Sequence, residues 1–309
     1  MNKITIVTPC YNEEENVEEV WRQARAVMEQ IEGVSYEHLF IDNRSTDRTA
    51  VLLRQMASAD PRVKVILNAR NFGHIRSPFH GLMQAQGDAA ILLVCDLQDP
   101  PELMRTFVQH WLEGAKMVIG VKPSADESRL MFMVRRLYYR MVTRIADVKL
   151  IQNFTGFGLY DRQVLDALRQ LDDPYPYLRG LISEIGFDPV EIPYNQPRRV
   201  RGITKNNFYS LYDIAMLGIT SHSRVPLRLA TMAGFALSGL SVLVSLGYLA
   251  AKLLFWDQFS LGTAPLLIGL FFFASIQLFF IGLLGEYVGA ILTQVARRPL
   301  VIERERINF

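Results

Sequence analysis

The chain has 309 residues, 50% hydrophobic and 21% charged, with a formal net charge of +2 at pH 7. That length allows one substantial domain plus an accessory part, and so small a net charge argues against a nucleic-acid binder, which needs a strongly basic surface. The five histidines show no metal-ligand spacing, and Cys10 and Cys95 read as buried thiols at strand ends rather than a disulfide.

In chain order, Lys3–Thr8 reads as a strand that begins without a signal-peptide apolar core, followed by a helix from about Asn16 to Ile31. His38–Ile41 is a second strand with a helix from about Thr46 to Ala59, and Val63–Leu67 a third with a helix around Phe79 to Gln86. Ala89–Val94 is a fourth strand, followed by a helix over Pro101 to Glu113, and Lys116–Gly120 is a fifth. This alternation predicts an α/β domain with a mostly parallel sheet and helices on both faces. Ligands of such sheets bind beyond the carboxyl ends of the strands.

Beyond these elements the pattern changes. Arg129, Arg136, Arg140 and Arg144 recur at helical spacing against Met133, Leu137, Met141 and Ile145, which predicts a helix over about 127–147 lying on a membrane surface. Arg198, Arg199, Arg201 and Lys205 form a basic loop over 198–205, suited either to phosphate oxygens or to anionic lipid heads. Leu229 to Ala251 and Gln258 to Gly285 carry no charge, and each exceeds the ~20 residues that cross a bilayer core as a helix. A domain over 1–223 is therefore expected to precede a two-helix transmembrane hairpin (about 229–254 and 264–287) within 224–309, with a cytoplasmic tail. Arg224, Arg228, Arg297, Arg298, Arg304 and Arg306 flank the outer ends, so both ends and the whole domain are expected on the cytoplasmic side. Gly234-x-x-x-Ser238 and Gly285-x-x-x-Gly289 permit close packing of spans, and with it a homo-oligomer.

The strand-end segments carry the chemistry. After strand one come Pro9-Cys10-Tyr11-Asn12-Glu13-Glu14, after strand two Asp42-Asn43-Arg44-Ser45-Thr46-Asp47, and after strand four Asp96-Leu97-Gln98-Asp99. No GxGxxG follows strand one and no P-loop occurs, which removes the main support for a dinucleotide or P-loop nucleotide site. Asp96 and Gln98, alternating along an extended segment, would point one way and offer oxygen ligands to Mg²⁺ or Mn²⁺. The structural alternative has Asp96 and Asp99 capping the next helix, Asp42 serving a turn, and Tyr11 and Glu13 filling a loop.

Three segments together carry a family resemblance. Pro9-x-Tyr11-Asn12-Glu13-Glu14, Asp42-x-x-Ser45-x-Asp47-x-Thr49 and Asp96-Leu97-Gln98-Asp99-Pro100-Pro101-Glu102 resemble the signatures of family 2 glycosyltransferases of the GT-A fold. Arg199-x-x-Gly202-x-Thr204-Lys205, with Pro226-Leu227-Arg228 and Gly285-Glu286-Tyr287 around the spans, is similar to the polyprenyl-phosphate members related to dolichyl-phosphate mannose synthase. The resemblance implies that Pro9, Tyr11, Glu13 and Asp42 hold the nucleotide of a nucleotide sugar. Asp96 and Gln98 would hold Mg²⁺ or Mn²⁺, with Asp96 catalytic. Arg136, Arg199, Arg201 and Lys205 would serve the phosphates and the acceptor.

The implied reaction is inverting transfer from a nucleotide-diphosphate sugar, with uridine as the expected base, to a polyprenyl phosphate at the inner membrane. Transfer to a lipid hydroxyl, with Glu184 as base, and a non-catalytic membrane partner are the alternatives. Two departures stand out. Val94 occupies the place of the first metal-site carboxylate of many relatives, and Asn43-Arg44 replaces their usual Asp-Gly.

Overall fold

A computed structural model describes residues 2–122, 151, 154–174, 176–195, 225–255, 263–296 and 298–309. The surface helix expected over 127–147 and the basic loop 198–205 lie outside the described residues. So, therefore, do Arg136, Arg199, Arg201 and Lys205.

Eight strands form one sheet: β1 (Asn2–Cys10), β2 (Val34–Asp42), β3 (Val63–Asn68), β4 (Ala89–Leu92), β5 (Met117–Val121), β6 (Phe154–Asp161), β7 (Val190–Pro193) and β8 (Glu303–Ile307). Their order is β7-β5-β6-β4-β1-β2-β3-β8. Strands β4, β1, β2 and β3 run parallel to one another, and β5 and β7 are parallel. Strand β6 is reversed against both β4 and β5, and β8 against β3. The sheet is mixed and mostly parallel. The reversal has a consequence for the site: the start of β6 lies beside the carboxyl ends of β4 and β5.

Alternation along β1 sends Ile4 and Ile6 to one face and Val7 to the other. On the first face pack α1 (Val17–Met28), α2 (Thr49–Ala59) and α4 (Leu103–Leu112), through residues such as Val20, Leu53 and Phe107. On the second pack α3 (Gly73–Met83), α5 (Arg162–Leu171) and α6 (Leu178–Glu184), through Phe79, Leu165 and Ile182. Helix α5 starts at Asp161, whose carboxylate accepts the Gln163 N–H at 2.9 Å.

Helix α7 (Val225–Leu254) and helix α8 (Thr263–Ala296) contain the two segments, Leu229–Ala251 and Gly269–Ala296, long and apolar enough to cross a membrane. Their large apolar side chains are exposed, Phe235 at 74% and Val295 at 73%, so these are not core helices of the domain. Helix α8 runs well past the end near 287 expected from the hydropathy pattern, and Gln294 donates from Nε2 to the Asp173 carboxylate at 3.0 Å. The tail after it returns to the sheet as β8. Glu305 pairs with Arg54, Glu303 with His80 at 2.6 Å, and the Asn308 amide donates to the Ala57 and Val63 carbonyls at 2.7 and 2.9 Å. A strand here covers the otherwise open edge of β3.

Candidate active site

The loops after β1 and β2 are laced together by the polar residues of their own motifs. The Asn12 N–H donates to the Ser45 hydroxyl at 2.9 Å, and the Asn12 side-chain oxygen accepts the Thr46 N–H at 2.8 Å. The Glu13 N–H donates to Thr49 Oγ1 at 2.9 Å, and the Glu14 carboxylate accepts the Arg48 N–H at 3.0 Å. Asp42, 1% exposed, accepts from both the Ser45 N–H and the Ser45 hydroxyl. Burial pushes its carboxyl upward while those Ser45 bonds pull it down. Half of the motif residues thus tie one loop to the other.

A second polar lattice sets the neighbouring wall. The Asn43 carbonyl accepts from Asn68 Nδ2 at 3.1 Å and from the Phe72 N–H at 2.9 Å. Its amide donates to Asn71 Oδ1 at 2.9 Å and to the Gly73 carbonyl at 3.1 Å. Asn68, fully buried, also donates to the Ser77 hydroxyl at 3.1 Å. The side chain that replaces the usual aspartate therefore spends two donors and one acceptor oxygen pinning the entrance of α3. An aspartate could not donate those bonds. Arg44, in the usual glycine's place, sits at φ 65°, in the left-handed region.

Between these walls opens a cavity of about 400 Å³. Pro9, Tyr11, Glu13 and Asp96 line it, as do Asn43 and His74. The Glu13 carboxylate accepts from the Asn16 amide at 2.7 Å. Asp42 and Gln98 are not among the lining residues, so the structure brings together four of the six described sequence candidates. Cys10 and Cys95 also line the cavity as free, buried thiols, with burial and mutual contact pushing the Cys10 thiol up.

The segment after β4 departs from expectation. It is a turn, not a strand: Leu97 has φ 56° and the Asp96 carboxylate accepts the Gln98 N–H at 3.1 Å. Asp96 and Gln98 therefore do not alternate along an extended chain. Nor does Asp99 cap α4, whose N-cap is Glu102 without a side-chain cap bond. Asp99 instead accepts the Tyr194 hydroxyl, is 2% exposed, and is pushed up to about 6 by burial, against the pull of Tyr194 and Lys122. Sequence reading missed this pairing because Tyr194 lies 95 positions away.

A second chamber, about 190 Å³, shares Pro9, His74, Pro78 and Val94 with the first. Its other walls come from the start of β6 (Thr155, Gly156), from α3 (Ile75, Phe79) and from the entrance of α6 (Tyr177, Leu178, Arg179). Val94, where a carboxylate was expected from the resemblance, lines both chambers. Burial lowers the pKa of His74, so a neutral imidazole stands at the junction. No motif at strands one, two or four announces His74 or Arg179. Glu184, the candidate base for a hydroxyl acceptor, is exposed at the end of α6 and lines neither chamber.

The cleft stands at the carboxyl ends of parallel strands, where α/β sheets bind their ligands. The family model for Glycosyl transferase family 2 matches residues 5–169, and the chain belongs to that family. It is a glycosyltransferase. The chain is 36% identical over 299 residues to an uncharacterized glycosyltransferase, YkcC, of Bacillus subtilis, covering 96% of this chain and 92% of that one. It is 33% identical over 301 residues to a prophage-derived bactoprenol glucosyl transferase of Shigella flexneri, covering 97% of each. Among solved structures, glucosyl-3-phosphoglycerate synthase of Mycobacterium tuberculosis aligns over 71% of this chain and 78% of that one, at 18% identity and a TM-score of 0.46.

Proposed function

We propose that this enzyme transfers a sugar from a nucleotide-diphosphate donor to a polyprenyl phosphate, with inversion, on the cytoplasmic face of the inner membrane. The observation that carries this reading is the extent of the similarity to a bactoprenol glucosyl transferase, over 97% of the chain and both apolar helices. The helices suit a lipid acceptor, and glucose with uridine is the first donor to test. The nucleotide belongs in the 400 Å³ cavity, between Tyr11 and the laced loops, with its diphosphate toward Asp96.

The acceptor phosphate is largely ionised at pH 7 and needs no general base. One of its oxygens attacks the anomeric carbon, the bond from that carbon to the donor's diphosphate oxygen breaks, and its electron pair leaves on the nucleoside diphosphate. The exposed position of Glu184 favours this acceptor over a hydroxyl, which would need a base at the cavity.

Among the described residues no group of three or more His, Cys, Asp or Glu could hold a metal ion by itself. The donor set nonetheless fits a hard cation that keeps waters and takes oxygens from the substrate: Asp96 opens onto the cavity, and a diphosphate supplies the rest. Bound there, Mg²⁺ or Mn²⁺ would neutralise charge on the leaving diphosphate. Arg136, Arg199, Arg201 and Lys205 are proposed to steer the phosphates and the lipid, and the spans to support a homo-oligomer.

The test is a transfer assay with full-length protein in liposomes carrying undecaprenyl phosphate. Nucleotide sugars are supplied with Mg²⁺ or Mn²⁺, and lipid products are read by mass spectrometry. A glycosyl-phosphoryl-lipid is expected, lost on chelation and reduced on the order of 100-fold or more by Asp96→Asn. Product found only on a hydroxyl lipid, or unaffected by Asp96→Asn, would overturn the reading.

A further inference from the structure

The 190 Å³ chamber has an unusual lining for a sugar pocket. Ile75, Phe79, Leu92, Val94 and Leu178 make most of its described wall, and among the described residues no carboxylate or carboxamide lines it to bind sugar hydroxyls. Its polar groups are few. The Arg179 guanidinium is half-buried and in no ion pair among the described residues. The nearby carboxylate, Asp99, takes its cationic partner from Lys122, and Lys122 is itself repelled by Arg179. The Thr155 hydroxyl oxygen is buried beside Tyr194 without a well-formed hydrogen bond. A guanidinium withdrawn from water and an unmet hydroxyl both carry a desolvation cost that an oxyanion between them would offset.

Resting on the proposed acceptor class, we infer that this chamber receives the phosphate and first carbons of the prenyl chain, with the Arg179 guanidinium and the Thr155 hydroxyl as phosphate ligands. The apolar wall matches the allylic end of the chain. A volume of about 190 Å³, or about six water volumes, admits a phosphate and a few carbons and leaves the rest of the tail outside. Because the chamber shares Val94 and His74 with the donor cavity, a phosphate there faces the sugar across the junction.

The experiment compares full-length wild type with Arg179→Gln, Arg179→Lys and Thr155→Val. Three quantities are read: the KM for a short-chain prenyl phosphate, the Kd for the donor, and inhibition by the matching prenyl alcohol. Arg179→Gln is expected to raise the acceptor KM at least 10-fold, with donor Kd and alcohol inhibition within twofold. Arg179→Lys should recover part of the loss, and Thr155→Val should raise the KM a fewfold. A donor Kd that weakens as much as the acceptor KM would assign Arg179 to the donor and overturn the inference. So would an unchanged acceptor KM in a wild type that uses prenyl phosphate. A wild type that binds no prenyl phosphate would instead sink the proposed function, and this inference with it.

Discussion

On the parallel half of the rim, Asn12 bonds Ser45, Glu13 bonds Thr49 and Glu14 bonds Arg48 across two loops, and Asn43 bonds Asn68 and Phe72 to hold the third. On the antiparallel half, Arg179 and Thr155 line a chamber, and among the described residues Arg179 is in no ion pair and Thr155 Oγ1 makes no well-formed hydrogen bond. In the first half most polar groups bond one another, the buried Asn68 Oδ1 excepted, and Tyr11 and Asp96 line the cavity. Polar residues of the rim therefore divide into those that tie loops together and those that, under the inferred acceptor site, would meet a phosphate.

The largest effect that would break this comparison is at Asn43. Asn43→Leu removes four hydrogen bonds and leaves the buried Phe72 N–H unmet, a cost of about 3–5 kcal/mol. Thermal unfolding in detergent should show a fall on the order of 10 °C. Arg179→Gln, on the other half, should leave the unfolding temperature nearly unchanged. Equal losses would mean that the two halves do not differ in this way.

A smaller effect with a pH signature is expected at Asp99. Its folded carboxyl keeps its proton up to about 6, against 3.8 for an ordinary aspartate. Between those values the native state binds more protons than the unfolded chain, so stability falls as pH rises through that window. Asp99→Asn keeps an acceptor oxygen for Tyr194 and removes the buried charge. It should therefore stabilise at pH 7 by about 3 kcal/mol and flatten the slope between pH 4 and 6. Unfolding temperatures taken across that range check the sign; a variant less stable than wild type at pH 7 would show that the Lys122 attraction outweighs burial.

The smallest effect is at Arg44, whose φ of 65° strains any residue with a Cβ. Arg44→Gly should stabilise by less than about 1 kcal/mol, since glycine's greater freedom in the unfolded chain offsets part of the relief. A thermal shift of one to a few degrees upward, with donor affinity unchanged, would sharpen the view that this loop is a frame.

Much of the parallel half was legible in the residue order. Strand, loop and helix follow one another within about thirty positions, so periodicity places the strand ends, and Pro9, Tyr11, Glu13 and Asp96 fall on one rim because a parallel sheet puts all such ends together. The two apolar helices were legible for a similar reason, since span length and charge are local properties. Only the tertiary structure could turn the Asp96 segment into a bend, hand Asp99 to Tyr194 and return 303–307 to the sheet edge. It also brought Thr155 and Arg179 beside Val94, through a reversed strand more than sixty positions downstream. Those outcomes depend on chain path and on which buried polar groups find partners, and neither quantity is written in any short stretch of sequence.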